Sequence, residues 1–262
     1  MDFNEKGFLG TAVAEFSNAA EKEYANFFNA CYRINEIAQD VKFEFQIHNQ
    51  DGQEVMAACL FMRILNGFQA VIILARLGLV VDAKVVLRGI LEALFILKLL
   101  CDEAKFVVEY VRTDQAQRLK WMNIAHQNTD PVFDSLRQYA TPERMKTLKD
   151  ELNTYGIKKL NIENVAKRAK LTTIYNTDYR LLSYEIHSTP RSLEHYTAAD
   201  QDEIITGFPW GPSDNGLAYI LFTAVRVLAI GVDSAAKLFK VDRRKQLAQV
   251  DEVLDRLASL LN

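Results

Sequence analysis

An all-α, single-domain helical bundle is the fold class the sequence predicts, and three observations predict it. Nearly every apolar pattern recurs at three- and four-residue steps, the period of a helix and not of a strand. Only 11 Gly and 5 Pro occur among 262 residues, too few for a loop-rich β protein or a disordered chain. Two long apolar helical patterns are separated by about four residues, and such short connections join neighbouring helices. With 49% apolar and 25% charged residues the chain holds enough material for one large core. No internal repeat, low-complexity tract or composition shift marks a boundary, so residues 1–262 read as one all-helical domain.

The first helix is expected over about residues 8–38, where Phe16, Ala20, Tyr24, Phe27, Cys31 and Ile34 recur on one face. The polar stretch 45–52 reads as a turn. A second helix is expected over 54–77 and ended by Gly78. A third covers 83–102 with Asp82 as N-cap. Both are apolar nearly all round, which marks the centre of the protein. A fourth spans about 103–127. Region 128–172 is choppier, with Pro131 and Pro142 opening short helices at positions where the missing N–H is harmless. A helix over 174–187 comes next, stopped by Pro190, and 198–215 reads as a long loop. The last quarter has one apolar seam from Leu217 to Leu238 and a second from Leu247 to Leu261, separated by Val241 and Asp242. That spacing predicts a C-terminal antiparallel helical hairpin, with 243–262 as its final helix.

The formal net charge of −3 argues against a broadly basic nucleic-acid-binding surface. Cys31, Cys59 and Cys101 are dispersed and odd in number, which forms neither a disulfide framework nor a metal-ligand set and points to a reducing cytoplasm. The start lacks the basic and apolar regions of a signal peptide. In the greasiest region, 64–100, Arg76, Asp82, Lys84, Arg88, Glu92 and Lys98 interrupt any run of the roughly 20 uncharged apolar residues a bilayer requires, so a soluble protein is expected. No His-Glu-x-x-His, Cys-x-x-Cys or P-loop pattern occurs, and no cofactor is expected.

Two sets of residues carry possible chemistry. Lys84, Arg88 and Glu92 are spaced four apart and stack along one face of the third helix. They read as a structural ion pair, or as a buried pair lining a pocket, and Gly89 beside Arg88 suggests close approach of another element. On the second helix, Arg63 and Arg76 are expected at solvent and Asn66 and Gln69 along a polar edge. The second set is Tyr179-Arg180-Leu181-Leu182-Ser183-Tyr184-Glu185-Ile186-His187, with His195 and Tyr196 soon after. On a helix, Arg180, Ser183, Tyr184 and His187 share one face with Tyr179 at its margin, and Leu181, Leu182 and Ile186 take the other. A histidine beside a fixed cation suits general acid–base chemistry on a phosphodiester, with arginine stabilising charge on the phosphate oxygens. The bland alternative has His187 capping a carbonyl and Ser183 bonding back to its own turn. His48 and His126 read as isolated surface or capping residues. Trp210, between two prolines, reads as packing its loop onto the body or as a partner-binding anchor.

The run Leu87-Arg88-Gly89-Ile90-Leu91-Glu92-Ala93, together with the later Tyr179-x-x-x-Ser183-x-x-x-His187, resembles a bacterial all-helical domain-of-unknown-function family of DUF5677 type. The likeness covers roughly 55–240 and implies a site made from Arg88, Glu92, Tyr179, Ser183 and His187, with no stated activity. Arg180-x6-His187 is also similar to the Arg-x4-6-His signature of the HEPN superfamily, helical proteins that include dimeric toxin and phage-defence ribonucleases. Leu181 stands where those proteins commonly carry a polar residue.

The expectation is therefore a cytoplasmic helical protein in which Arg88 and Glu92 approach Tyr179, Ser183 and His187. As an enzyme it would be a metal-independent, HEPN-like endoribonuclease with His187 as base, Arg180 as phosphate clamp, and Tyr184 or His195 assisting. RNA would enter along the basic segment 158–170, and the resemblance further implies an antitoxin or operon partner and a homodimer. The alternative is a non-catalytic binding or interaction module with a buried polar centre. A scaffold using the final hairpin is a third possibility. No membrane is expected in any of them.

Overall fold

The computed structural model describes residues 3–156, 160–186, 190–202 and 204–261. The first helical pattern forms two helices, α1 (Val13–Glu23) and α2 (Ala25–Phe43), which meet at Tyr24 with φ −99° and ψ 27°. It starts later than expected because Gly7, at φ +51°, and extended Gly10 break the chain ahead of it. It also runs five residues beyond the expected 38. The next helix, α3 (Gly52–Arg76), is capped by Asp51, whose carboxylate accepts the N–H of Gln53 at 2.9 Å and of Glu54 at 3.1 Å. At its other end Gly78 takes φ +77°. Gly78 N–H then bonds Ala75 O and Leu79 N–H bonds Leu74 O, both at 3.0 Å, the paired bonds of a Schellman stop.

That reversal starts α4 (Val80–Asp102) one turn earlier than expected. Asp82 is consequently not its N-cap. It lies in the first turn, where its charge still complements the positive end of the helix dipole.

Helices α3 and α4 pack along their length, and a long late helix, Leu217–Leu238, lies on both and on α2. Phe28, Phe61, Phe68, Phe95, Leu87 and Leu94 fill the space between them and are almost wholly removed from water. The last helix, Arg244–Ala258, packs on Leu217–Leu238 and on α2 through Val250, Leu254 and Leu257. By length and composition alone Gly52–Arg76 and Leu217–Leu238 could cross a membrane, contrary to the expectation of no such stretch. In the bundle, 50% and 67% of their apolar windows are buried, and that packing accounts for their composition.

Outside this centre, α5 (Phe106–Gln127) carries α6 (Pro142–Thr154) on its flank, and no residue of α6 is buried. Pro131 and Pro142 each open a helical turn. Helix α7 (Ile162–Arg168) and then α8 (Arg180–Ile186) lie against α4. The expected loop 198–215 contains a small antiparallel pair, Ala198–Ala199 with Ile205–Gly207. The chain ends with Leu217–Leu238 as α9 and Arg244–Ala258 as α10.

Gly89 does not mark a close approach, because among the described residues nothing lies within 4 Å of where its Cβ would stand. The tight contact is at Gly67, where a Cβ would fall 2.2 Å from Ile90 Cγ2. Isoleucine is stiff at χ1 and cannot swing away freely. Gly67→Ala should therefore lower stability by about 1–2 kcal/mol, since overpacking exceeds the gain in helix propensity. Gly89→Ala should raise it by about 0.5–1 kcal/mol. Urea midpoints of the two variants check both signs, and equal midpoints would contradict the packing described.

Candidate functional site

The polar face of α4 meets the segment 172–186 side chain by side chain. This segment is not one regular helix: Tyr175–Tyr179 forms a π-turn between Thr172–Ile174 and α8. A π-turn widens the ring by one residue and so shifts the phase of the residues ahead of it relative to those of α8. Asp178 and Tyr179, the last two residues of the π-turn, are both buried.

Tyr179 stacks on Tyr175 with centroids 5.1 Å apart and packs edge-on against Phe95 at 5.6 Å. Its hydroxyl accepts from Arg88 Nη2 at 2.5 Å and donates to Glu92 Oε2 at 3.4 Å, while Arg88 Nη1 donates to the same Glu92 oxygen at 2.6 Å. Burial, and then the Glu92 charge, push the Tyr179 hydroxyl up to about 12, so it remains a neutral donor at pH 7. Arg88 and Glu92 keep about a quarter and a third of their side-chain surface. A half-wet pair of this kind escapes most of the desolvation cost of a buried one.

Other members of the expected site are placed differently. Ser183 Oγ donates to the Tyr179 carbonyl at 2.6 Å, back-bonding within its own turn. Arg180 is exposed, 3.9 Å from Glu163 and 5.5 Å from the Tyr175 ring centroid. Of the three apolar residues assigned to the opposite face only Leu182 is buried; Leu181 and Ile186 are exposed. His187 lies outside the described residues, and with it the question of its contact with α4.

Sequence reasoning missed a second centre. Asp178, 4% exposed, accepts from the Tyr219 hydroxyl at 2.8 Å through Oδ1, and from Arg226 Nη2 at 2.5 Å and Thr177 Oγ1 at 2.8 Å through Oδ2. The signal was Arg226, a charge inside the apolar seam of α9. A third centre was also missed. Glu185 Oε1 lies 3.1 Å from Lys84 Nζ and 3.0 Å from His195 Nε2, and those two nitrogens are 3.3 Å apart. Lys84 thus leaves the ladder it shares with Arg88 and pairs with α8.

Glu185 is largely buried, and its second oxygen, Oε2, has no partner among the described residues. Burial alone would raise its carboxyl, but the bonds from Lys84 and His195 outweigh burial and hold it below its ordinary 4.5. A carboxyl lowered on folding stabilises the protein above its unfolded value and loses that contribution as pH falls through the folded one. The stability gap between the parent and Glu185→Gln should therefore be full at pH 6 and narrow steadily below the ordinary 4.5. Urea midpoints at pH 6 and pH 3 check this; a gap independent of pH would contradict it.

Glu185 and His195 open onto a cleft of about 800 Å³ between the start of α4, the chain around α8 and the loop carrying Trp210. Tyr184, Tyr196 and Arg191 also line it. Trp210 does not pack its loop onto the body; it is 65% exposed. That anchoring falls to its neighbours, with Pro212 seated on Gly78 and Ser213 N–H bonded to Gly78 O at 3.0 Å.

Elsewhere, Arg168 of the basic segment is taken up by Glu103 and Glu109, both at 2.8 Å, and is not held out for a phosphate. Lys158 and Lys159 lie outside the described residues. His48 bonds Glu54 at 2.8 Å, His126 bonds the Ala140 carbonyl at 2.5 Å, and Gln69 bonds Asn35 at 3.0 Å between helices. Among the described residues no three His, Cys, Asp or Glu side chains are grouped to hold a metal ion.

A model of a family of unknown function, DUF5677, matches residues 54–204. The match runs from the first turn of α3 through α8, contains both arms of the Arg88–Glu92–Tyr179 contact, and ends short of the 240 that the likeness in sequence suggested. No curated protein and no solved structure matches the chain.

Proposed function

We propose that this chain, which belongs to the family of unknown function DUF5677, is a helical binding module whose ligand site is the cleft beside Glu185 and His195. The observation that carries the reading is the convergence there of a buried, half-satisfied carboxylate, a histidine and exposed aromatic rings around a volume of about 800 Å³. Small-molecule sites have this size and this mixture of apolar wall and few polar groups. The Arg88–Glu92–Tyr179 contact is then structural: it joins α4 to the π-turn and sets the position of α8, which forms one wall of the cleft. Free Cys31, Cys59 and Cys101 support a reducing, cytoplasmic setting. A thermal-shift screen against a metabolite collection tests the reading. Ligands that stabilise the parent should lose their effect in His195→Ala and Tyr184→Ala and keep it in Arg88→Met. If Arg88→Met abolishes the response while His195→Ala leaves it intact, the site is misplaced.

A specific observation favours a second reading as a HEPN-like, metal-independent endoribonuclease of a toxin or phage-defence system. Tyr184 and His195 line one cleft, and His195 is held by a carboxylate as an acid–base histidine would be. RNA as substrate, an antitoxin or operon partner and a homodimer belong to this reading. Arg180 does not line that cleft, so the clamp would have to come from elsewhere. Total RNA incubated without metal with parent, His195→Ala, His187→Ala and Arg180→Ala proteins decides the matter. Indistinguishable RNA profiles for all four would eliminate it.

A further inference from the structure

The charges around the cleft are unequal. Asp82, Glu185 and Glu194 line it, and the lining arginine is Arg191. Lys84 sits behind Glu185 and offsets its charge, so the balance at the opening rests on Asp82 and Glu194 against Arg191. Asp82 and Glu194 are exposed and have no ion-pair partner among the described residues. The field at the cleft is therefore negative, which repels a phosphate and attracts a cation.

The walls point the same way. Tyr184, Tyr196 and Trp210 are 58%, 44% and 65% exposed around this one opening. Aromatic faces carry partial negative charge and hold ammonium groups, most strongly where carboxylates add to the field. The negative field reaches the wall: the Tyr196 hydroxyl is pushed up by burial and then by Asp82 and Glu185.

We infer that the cleft takes an organic ammonium cation, its charged head at Asp82 and Glu194 and its apolar body against Tyr184, Tyr196 and Trp210. The inference rests on the cleft being the ligand site and adds the class of ligand. A free amine and the basic side chain of a peptide share this chemistry. A cleft of about 800 Å³, within the range of small-molecule sites, suits the free amine.

The test separates the class of ligand from the existence of the site. The chain has two tryptophans, so a Trp121→Phe background leaves Trp210 as the reporter. Three probes share one ring and differ in charge: 2-phenylethylamine, protonated at pH 7, neutral 2-phenylethanol and anionic phenylacetate. The amine should change Trp210 emission saturably, bind at least about tenfold tighter than the alcohol, and compete with spermidine, while phenylacetate gives no saturable change. The Asp82→Asn/Glu194→Gln double variant, altered only at exposed side chains, should weaken the amine by at least about tenfold and leave the alcohol unchanged. An alcohol or acetate that binds as tightly as the amine overturns the cation inference and leaves the cleft a ligand site. Full amine affinity in the double variant overturns the placement of the charge. Saturable binding of none of the three removes the site and the inference together. A lysine-bearing peptide that outcompetes spermidine overturns the free amine as ligand.

Discussion

Asp178→Ala should lower the unfolding free energy by about 3 kcal/mol, at the lower end of the range for breaking a buried charge pair. The carboxylate is nearly inaccessible and its two oxygens serve three donors, Tyr219, Arg226 and Thr177. Removing it takes from the half-buried Tyr219 its carboxylate acceptor and leaves Arg226 without its counter-charge. Arg226 already has a buried Nε with no partner among the described residues, so it has little else to turn to. The loss stays at the lower end because Arg226 keeps about a third of its side-chain surface in water. Asp178→Asn, which retains a carbonyl for Tyr219, should lose less. The double variant Asp178→Ala/Arg226→Met should lose clearly less than the sum of its single changes, since it strands no charge. Additive losses in urea denaturation would show that the two residues do not act as a pair.

Phe95→Ala should be comparably severe, about 3–5 kcal/mol, the range for emptying a buried phenylalanine site. Phe95 is fully buried on α4 and its ring meets Tyr179 at 5.6 Å and Tyr175 at 6.1 Å. The cavity would open directly behind the π-turn, so Tyr179 would lose the surface that holds its hydroxyl toward Arg88 and Glu92. Phe95→Leu, which keeps most of the volume, should lose about 1–1.5 kcal/mol. A Phe95→Ala loss below about 1 kcal/mol would mean that the neighbouring helices collapse into the space. Near-ultraviolet circular dichroism gives an independent readout, because the tyrosine signals should weaken in Phe95→Ala before global unfolding.

The legibility of the candidate site tracked the range of the interaction. Arg88 and Glu92 were readable because four residues along a helix bring two side chains together whatever the rest of the chain does. The resemblance implies that they meet Tyr179, Ser183 and His187; Tyr179 does meet them, Ser183 bonds its own turn, and His187 lies outside the described residues. The grouping of Arg180 with Ser183 was drawn on an ideal helical wheel, and it failed in detail. Ser183 turns to its own backbone, Arg180 turns outward to Glu163, and Asp178, four residues before buried Leu182, faces the interior. Glu185 gives no signal in the sequence because no basic residue stands three or four positions from it. Its partners, Lys84 and His195, are 101 and 10 residues away.

Apolar periodicity is a local property, set by covalent geometry and the 3.6-residue turn. For that reason the sequence alone determined an all-α chain, the two apolar helices at its centre and the positions of most helices within a few residues. Gly78 likewise marked its turn, since only glycine takes φ +77° at no steric cost. The crossing of helices, and the phase shift of one π-turn, are decided only when the whole core packs. Those two things selected which distant polar groups meet: Lys84 with Glu185 and His195, and Asp178 with Tyr219 and Arg226. They also left Trp210 and two carboxylates without an ion-pair partner among the described residues, Asp82 and Glu194, around an open cleft. The tertiary structure thus moved the place to look from the face of Arg180 to the wall of the bundle beside it.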